Sequence, residues 1–169
     1  IPMLMRWRGH IPAGTVSDAC LNTPDIMPTL LGLLDLPIPA EVEGMDLSHL
    51  ALGQRGPEPQ AALMQGMGHT YLWRDGFEWR ALRNKRYTYA VLRADGSEYL
   101  FDHQGDPLQQ ENLVRAAGHA RVLERMRQQL HDRMAERGDT FEACTWYRDH
   151  WTENRIIQRS ATLDPLSAE

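Results

Sequence analysis

The stretch from Ile26 to Leu36 constrains this chain more than any other. Ile26, Met27, Leu30, Leu31, Leu33, Leu34 and Leu36 surround a helix on nearly every side, and a helix that is apolar all round is normally enclosed by protein. Its start is legible just upstream in Asn22-Thr23-Pro24-Asp25. Thr23 suits the N-cap, Pro24 the first helical position and Asp25 the positive end of the helix dipole. Pro28 lies near the first turn, where a missing N–H costs little, and Pro37 and Pro39 stop the helix. A chain of 169 residues has little with which to enclose such a helix, so further chain around it is expected. Beginning at Ile1-Pro2 rather than Met agrees with the middle of a larger protein. On that reading the lack of a targeting signal says nothing about compartment, and localisation stays open.

Around this helix the pattern divides in two. Met3 to Trp7 is a short apolar run, bounded by Pro2 and Arg8-Gly9, that predicts a buried strand. Gly9 to Gly14 is a turn, and Val16 to Leu21 is extended. Residues 40 to 60 read as a Gly- and Pro-bearing linker with a short Leu-containing piece, Asp46 to Leu52. Strands follow. Ala61 to Met64 is one, then a Gly66-Met67-Gly68-His69 loop. Phe77 to Arg83 and Arg86 to Leu92 flank Asn84-Lys85 as a hairpin. In its second arm Tyr87, Tyr89 and Val91 alternate with Thr88, Ala90 and Leu92, as a half-buried strand should. Ala94-Asp95-Gly96-Ser97 turns into a strand from Glu98 to Asp102. Val122, Met126, Leu130 and Met134 recur at every fourth position, with Leu123 beside them, as an amphipathic helix closed by Arg137 and Gly138. The tail from Asp139 carries Phe141, Trp146, Tyr147 and Trp151 without strong periodicity.

Several function classes fall away. The formal charge of −5 makes no electrostatic case for nucleic acid, and the arginines between Arg115 and Arg159 read as a solvated helix face. Two cysteines, Cys20 and Cys144, make no disulfide framework and no C-x-x-C pair. No apolar run reaches the ~18 residues of a membrane span. Phosphate-loop, dinucleotide, H-E-x-x-H and G-x-S-x-G patterns are absent. The histidines His10, His49, His69, His103, His119, His131 and His150 are scattered without metal-ligand spacing. Asp102, next to His103, reads as a turn cap rather than half of a dyad. Asp106-Pro107 with Asn112-Leu113 reads as turn chemistry, because calcium wants about six to eight converging oxygens.

In order and spacing, five segments resemble the C-terminal third of the sulfatase family, in the alkaline phosphatase superfamily. Ile1 to Gly14 is similar to V-P-L-x-x-x-W-P-G-x-I-x-x-G, with Arg8 where Pro is usual. Ser17-Asp18-Ala19 and Thr23 to Leu31 look like S-D-x-x-x-x-x-D-[LI]-x-P-T-L-L, and Glu43 to Leu47 like the D-G-x-S-L piece that follows. Arg80 to Tyr89 resembles R-A-[VL]-R-T-x-R-Y-K-Y, and Glu98 to Leu113 resembles E-L-Y-D-L-x-x-D-P-x-E-x-x-N-L.

The resemblance implies a mixed α/β and α+β chain. Residues 1–55 would be the last strand and helix of a large α/β domain. Residues 56–138 would form a small antiparallel sheet on one long helix, and 139–169 an aromatic-containing tail. It also implies a parent enzyme that hydrolyses sulfate esters with a formylglycine, made from Cys in C-x-P-x-R or from the equivalent Ser, and with calcium. In the family those groups precede the point where this chain begins, so no catalytic residue, metal ligand or cofactor is expected within it. Cys144 has the Cys-to-Arg spacing, to Arg148, but Trp146 stands where Pro is required. Cys20 has neither the Pro nor the Arg. The expected partners are the N-terminal remainder of its own chain and, in the parent, a small-molecule or sugar sulfate ester. Neither nucleic acid nor membrane is expected, and the exposed helix favours self-association. A phosphonate or phosphate ester hydrolase on the same scaffold, and a non-catalytic self-association module, remain alternatives.

Within this frame the segment Gly66 to Arg80 is the candidate for the substrate mouth. It carries His69, Tyr71, Trp73, Trp79 and Arg80, an aromatic surface beside an Arg able to bind an anion in a fork. The competing reading has Tyr71 and Trp79 filling the space between sheet and helix, with Arg80 paired to Glu78 or to a helix carboxylate.

Overall fold

The computed structural model describes residues 3–69, 74–153 and 156–157. They fall into two compact units, residues 1–62 with 83–86, and residues 63–82 with 87–169.

The first unit is organised by α1 (Thr23–Leu33). Its cap lies one residue earlier than the sequence suggests. Asn22, not Thr23, is the N-cap, because its side chain accepts from the Asp25 backbone N–H while Asp25 Oδ2 accepts from the Asn22 N–H at 2.8 Å. This reciprocal capping box satisfies backbone donors that the helix itself leaves orphaned. The far end closes before the prolines. Leu36 N–H donates to Leu31 O at 3.0 Å and Asp35 N–H to Gly32 O at 3.2 Å, with Asp35 left-handed at φ 53°. That is a Schellman stop, built on Asp rather than the usual Gly.

Which residues α1 buries is the reverse of the usual order. Asp25, Pro28 and Thr29 are buried, whereas Met27, Leu30 and Leu34 stand 50%, 46% and 55% exposed. The buried side faces the 43–47 segment. Asp25 Oδ1 accepts from Met45 N–H at 2.8 Å, and Thr29 Oγ1 from Leu47 N–H at 3.0 Å. Gly44 lies against the carbonyl of Pro24 and Gly32 against the Asp46 carboxylate, and a Cβ at either glycine would overlap those atoms. Pro28, which has no N–H, leaves that same Pro24 carbonyl without its i+4 donor. Beyond the segment a single turn, α2 (Ser48–Ala51), packs on α1. Lys85 bridges Asp18 and Glu58 at 2.8 Å each.

Residues 3–7, expected as a strand, are not paired into a sheet. A strand persists through ladder hydrogen bonds to a neighbour, and residues 3–7 have none among the described residues.

The second unit is a four-stranded sheet in the order β1 (Ala62–His69), β2 (Arg74–Arg83), β3 (Tyr87–Leu92), β4 (Glu98–Asp102). β3 and β4 pair antiparallel with Tyr89 opposite Leu100. The loop expected over Gly66–His69 is strand instead. Gly66 sits where the indole of Trp79 leaves no room for a Cβ, and a Cβ on Gly68, at φ 70°, would lie 2.8 Å from Phe77 Cβ. These glycines admit a neighbouring strand's side chains rather than ending β1. β3 is also less one-sided than its alternation suggests, since Tyr87, Thr88 and Tyr89 are all buried.

As expected, the long amphipathic helix is α3 (Ala120–Glu136), which buries Leu123, Met126 and Leu130 and packs on β3. Arg127 fastens it to the sheet, its Nε donating to Glu98 Oε1 at 2.7 Å, and the Tyr89 hydroxyl donates to the same oxygen. Asp102 caps its turn through Gln104 N–H at 3.1 Å. Asn112 closes the following loop, accepting from Leu100 N–H and donating to Glu98 O, both at 3.0 Å. Beyond α3 come α4 (Cys144–Trp151) and a two-stranded ladder of β5 (Thr152–Glu153) with β6 (Ile156–Ile157). Among the described residues no helix is long and apolar enough to cross a membrane.

The capping box makes the first unit sensitive at one carboxylate. Asp25→Ala removes the acceptors of Asn22 N–H and Met45 N–H together, and we expect a loss of about 1–3 kcal/mol in urea unfolding. Thr23→Ala, at a position that is not the cap, should change stability by less than about 0.5 kcal/mol.

Candidate functional site

The candidate segment lies on β1 and β2. β2 begins at Arg74 and carries two buried charges on one face, Glu78 at 1% exposed and Arg80 at 0%. Burying charge is costly unless every polar atom is matched, and here the matching comes from the chain beyond α3.

Arg80 has five N–H donors, and each finds an acceptor. Nε donates to Asp139 Oδ2. Nη2 donates to Asp139 Oδ1 at 2.8 Å and to the Tyr147 hydroxyl at 3.3 Å. Nη1 donates to Trp79 O at 3.1 Å and Gly66 O at 3.4 Å. The guanidinium lies 4.6 Å from the centre of the Phe141 ring, a cation–π contact. Phe141 holds a left-handed backbone at φ 56°, kept there by its N–H donating to Asp139 Oδ1 at 2.9 Å and its carbonyl accepting from Arg93 Nε at 2.7 Å. Burial pushes Asp139 up, but the bonds from Arg80 and from Phe141 N–H outweigh it and hold the carboxyl below its ordinary 3.8.

Two more carboxylates of β2 take up the first N–H groups of α4. Glu78 Oε1 accepts from Cys144 N–H at 2.7 Å while its Oε2 accepts from Gly76 N–H at 2.9 Å. Asp75 accepts from Thr145 N–H at 2.8 Å and from the Thr145 hydroxyl at 2.7 Å, and these bonds hold Asp75 below the usual carboxylate range. Helix N-termini favour negative charge. The start of α4 is therefore capped by another element rather than by its own flanking residue.

The candidate residues of the substrate mouth thus part company in position. Arg80 is locked in the interior by Asp139, which is neither of the partners foreseen for it; with every donor used, it has no fork left for an anion. Trp79 is half-buried, its indole against Gly66. His69 ends β1, and Tyr71 and Trp73 lie outside the described residues. What sequence reasoning does not reveal is the pair at the start of β2. Arg74 is exposed and its guanidinium stands 5.6 Å from the ring centre of Phe77, which is 43% exposed. The available signal is Asp75-Gly76, a turn-like break that re-aims a strand.

Cys144 is fully buried, and burial, followed by the negative Glu78 and Asp75, pushes its thiol up. Cys20 is also raised by burial, its thiol donating to Gln60 O at 3.8 Å. Among the described residues no three His, Cys, Asp or Glu side chains converge as metal ligands would.

Arg80→Met should cost about 3–5 kcal/mol, the scale for stranding one partner of a buried ion pair, with the loss read from urea unfolding. For Asp139 the folded carboxyl is depressed, so its stabilising contribution is complete above its ordinary 3.8 and disappears as pH falls through and below that value. The stability of Asp139→Asn should therefore depend less on pH than wild type between about pH 5 and pH 2. Ellman titration of the native protein should label Cys20 first and reach Cys144 only on unfolding.

Known proteins resemble this chain in both sequence and fold. The chain is 34% identical over 151 residues to an ulvan-active sulfatase of Formosa agariphila, a match covering 87% of this chain and 29% of that protein. Among solved structures, a 2-O GAG sulfatase superposes with a TM-score of 0.60 at 23% identity, over 66% of this chain and 24% of the other. A phosphonate monoester hydrolase of Silicibacter pomeroyi gives 0.55 at 26% identity, over 69% and 25%. The chain therefore spans under a third of the length of such relatives. Residues 1–136 match the family described as N-sulphoglucosamine sulphohydrolase, C-terminal, and the chain belongs to that sulfatase C-terminal family.

Proposed function

We propose that this chain is the C-terminal part of a sulfatase that cleaves a sulfate ester from a sugar, and that its own role is structural and at the substrate mouth. The observation that carries the reading is the family match across residues 1–136. The small sheet on one long helix, with β2 anchored at both ends of its buried face, suits a rigid platform beside an active site.

The chemistry itself is assigned elsewhere. The family implies calcium and a formylglycine nucleophile. Neither fits the side chains described here: no ligand cluster converges, and Cys144 is buried with its thiol pushed up and Trp146 in place of the required Pro. We therefore derive no catalytic step through this chain and assign both groups to sequence preceding it in the parent protein. That preceding sequence is also the cover we assign to the apolar side of α1, where Met27, Leu30 and Leu34 stand exposed. An uncovered patch of that kind would drive the isolated chain to self-associate.

A phosphonate monoester hydrolase is the second reading, favoured by the likeness to the Silicibacter pomeroyi enzyme. The two separate in one experiment. The full-length protein should turn over a sulfate ester well above a phosphonate monoester, and residues 1–169 alone should turn over neither. Preference for the phosphonate would replace the sulfatase reading, and turnover by the isolated chain would overturn the division of labour.

A further inference from the structure

Among the arginines of the β1–β2 region, one is fully paired and another stands open. We infer that Arg74 and Phe77 form a contact for an anionic sugar, Arg74 taking a sulfate or carboxylate and Phe77 the apolar face of the ring. This rests on the reading of the parent as an enzyme of sulfated sugars, and it moves the anion contact from the interior Arg80 to the surface of the same strand.

The first support is that Arg74 has no ion-pair partner among the described residues. Its contact among the described residues is the Phe77 ring, 5.6 Å from guanidinium to ring centre, with no carboxylate partner there. The adjacent Asp75 directs both of its oxygens to Thr145, at 2.8 and 2.7 Å, rather than to the Arg74 guanidinium. A guanidinium laid along an aromatic ring keeps N–H donors along its edge, in the planar fork that matches a sulfate or carboxylate. Phe77, exposed beside it, offers a flat apolar surface to sugar C–H groups.

The second support is that the backbone under the pair is fixed on both sides. Gly76 lies between the two residues at φ 95°, a conformation that side chains other than hydrogen rarely adopt. Its N–H is held by Glu78 Oε2 at 2.9 Å, and the other Glu78 oxygen holds Cys144 N–H at 2.7 Å. Asp75 is tied to Thr145 of the same helix. An exposed charged pair on anchored backbone loses less freedom on binding than one on a free loop, whereas exposed charge with no role in binding does not need such anchoring.

The test is equilibrium binding to the full-length protein, by calorimetry, of a monosulfated uronate-containing disaccharide and of its desulfated, carboxyl-reduced counterpart. Wild type should prefer the anionic form. Arg74→Ala should weaken that form about tenfold, the scale of one charged hydrogen bond, and leave the neutral form unchanged. Arg74→Lys should restore part of the loss, since it keeps the charge without the fork. Phe77→Ala should weaken both forms, because the ring surface is common to them. Melting temperatures of the two Arg74 variants should match wild type, since that side chain is exposed. Unchanged affinity of Arg74→Ala for the anionic disaccharide would overturn the assignment, as would an equal loss for both forms. Binding is independent of turnover. A protein that cleaves phosphonates yet shows this pattern would overturn the sulfatase reading alone, and one that cleaves sulfate esters without it would overturn the Arg74 contact alone.

Discussion

A guanidinium with no exposure to water must be met on every side by acceptors, and that requirement at Arg80 shapes much of the second unit. The acceptors come from β1, from β2 itself, from the turn that follows α3, and from α4. Gly138, left-handed at φ 60°, ends α3 in a Schellman turn, with Asp139 N–H donating to Met134 O at 2.9 Å. That turn delivers the Asp139 carboxylate to Arg80. Phe141 must then adopt its unfavourable left-handed backbone, a cost on the order of 1–3 kcal/mol that the surrounding bonds offset. Residues 139–147 are thus part of the sheet's polar core although they lie beyond the family match, which ends at residue 136.

The first unit answers a different constraint, the pairing of one face of helix α1 with a loop. Loops carry unpaired backbone N–H groups, so the face of α1 that meets residues 43–47 has to supply acceptors. Asp25 and Thr29 do so, and this accounts for polar residues inside and leucines outside. The contact is close enough that Gly32 and Gly44 admit no Cβ. Hydrophobicity alone reads this helix as apolar on all sides. It does not reveal that the helix has one polar, filled face and one apolar face still exposed.

Legibility follows how local the physics is. The helix openings and closings, the Asn84-Lys85 hairpin, β4 and α3 are all readable, because each depends on periodicity or turn chemistry within a few residues. The cap at Asn22 reads one position late because Asn and Thr are both good caps, and the choice falls to the reciprocal bond from Asp25. Gly66 and Gly68 resemble a loop because nothing local distinguishes a glycine that turns the chain from one that makes room for an indole on the next strand. The strand expected at residues 3–7 does not form for a related reason, since a strand is defined by its neighbour. α4 gives little periodic signal, and its N-terminal acceptors, Asp75 and Glu78, lie far upstream in sequence.

The same distinction governs which arginines can meet a ligand. Arg80 stands out in sequence because it sits among aromatics in a segment that resembles the family, but its surroundings consume every donor. Arg127 is partly open, yet it is committed to Glu98, which its hydrogen bonds hold below the ordinary carboxylate range. Arg74 has little to recommend it in the sequence, yet it is exposed and has no ion-pair partner among the described residues. Charge available for recognition is what remains after the fold has satisfied its own buried groups. Here Asp75 bonds to Thr145, and the neighbouring Arg74 guanidinium lies against the Phe77 ring instead. A carboxylate committed to a helix start in another part of the chain thereby leaves its neighbour's donors in place for other contacts.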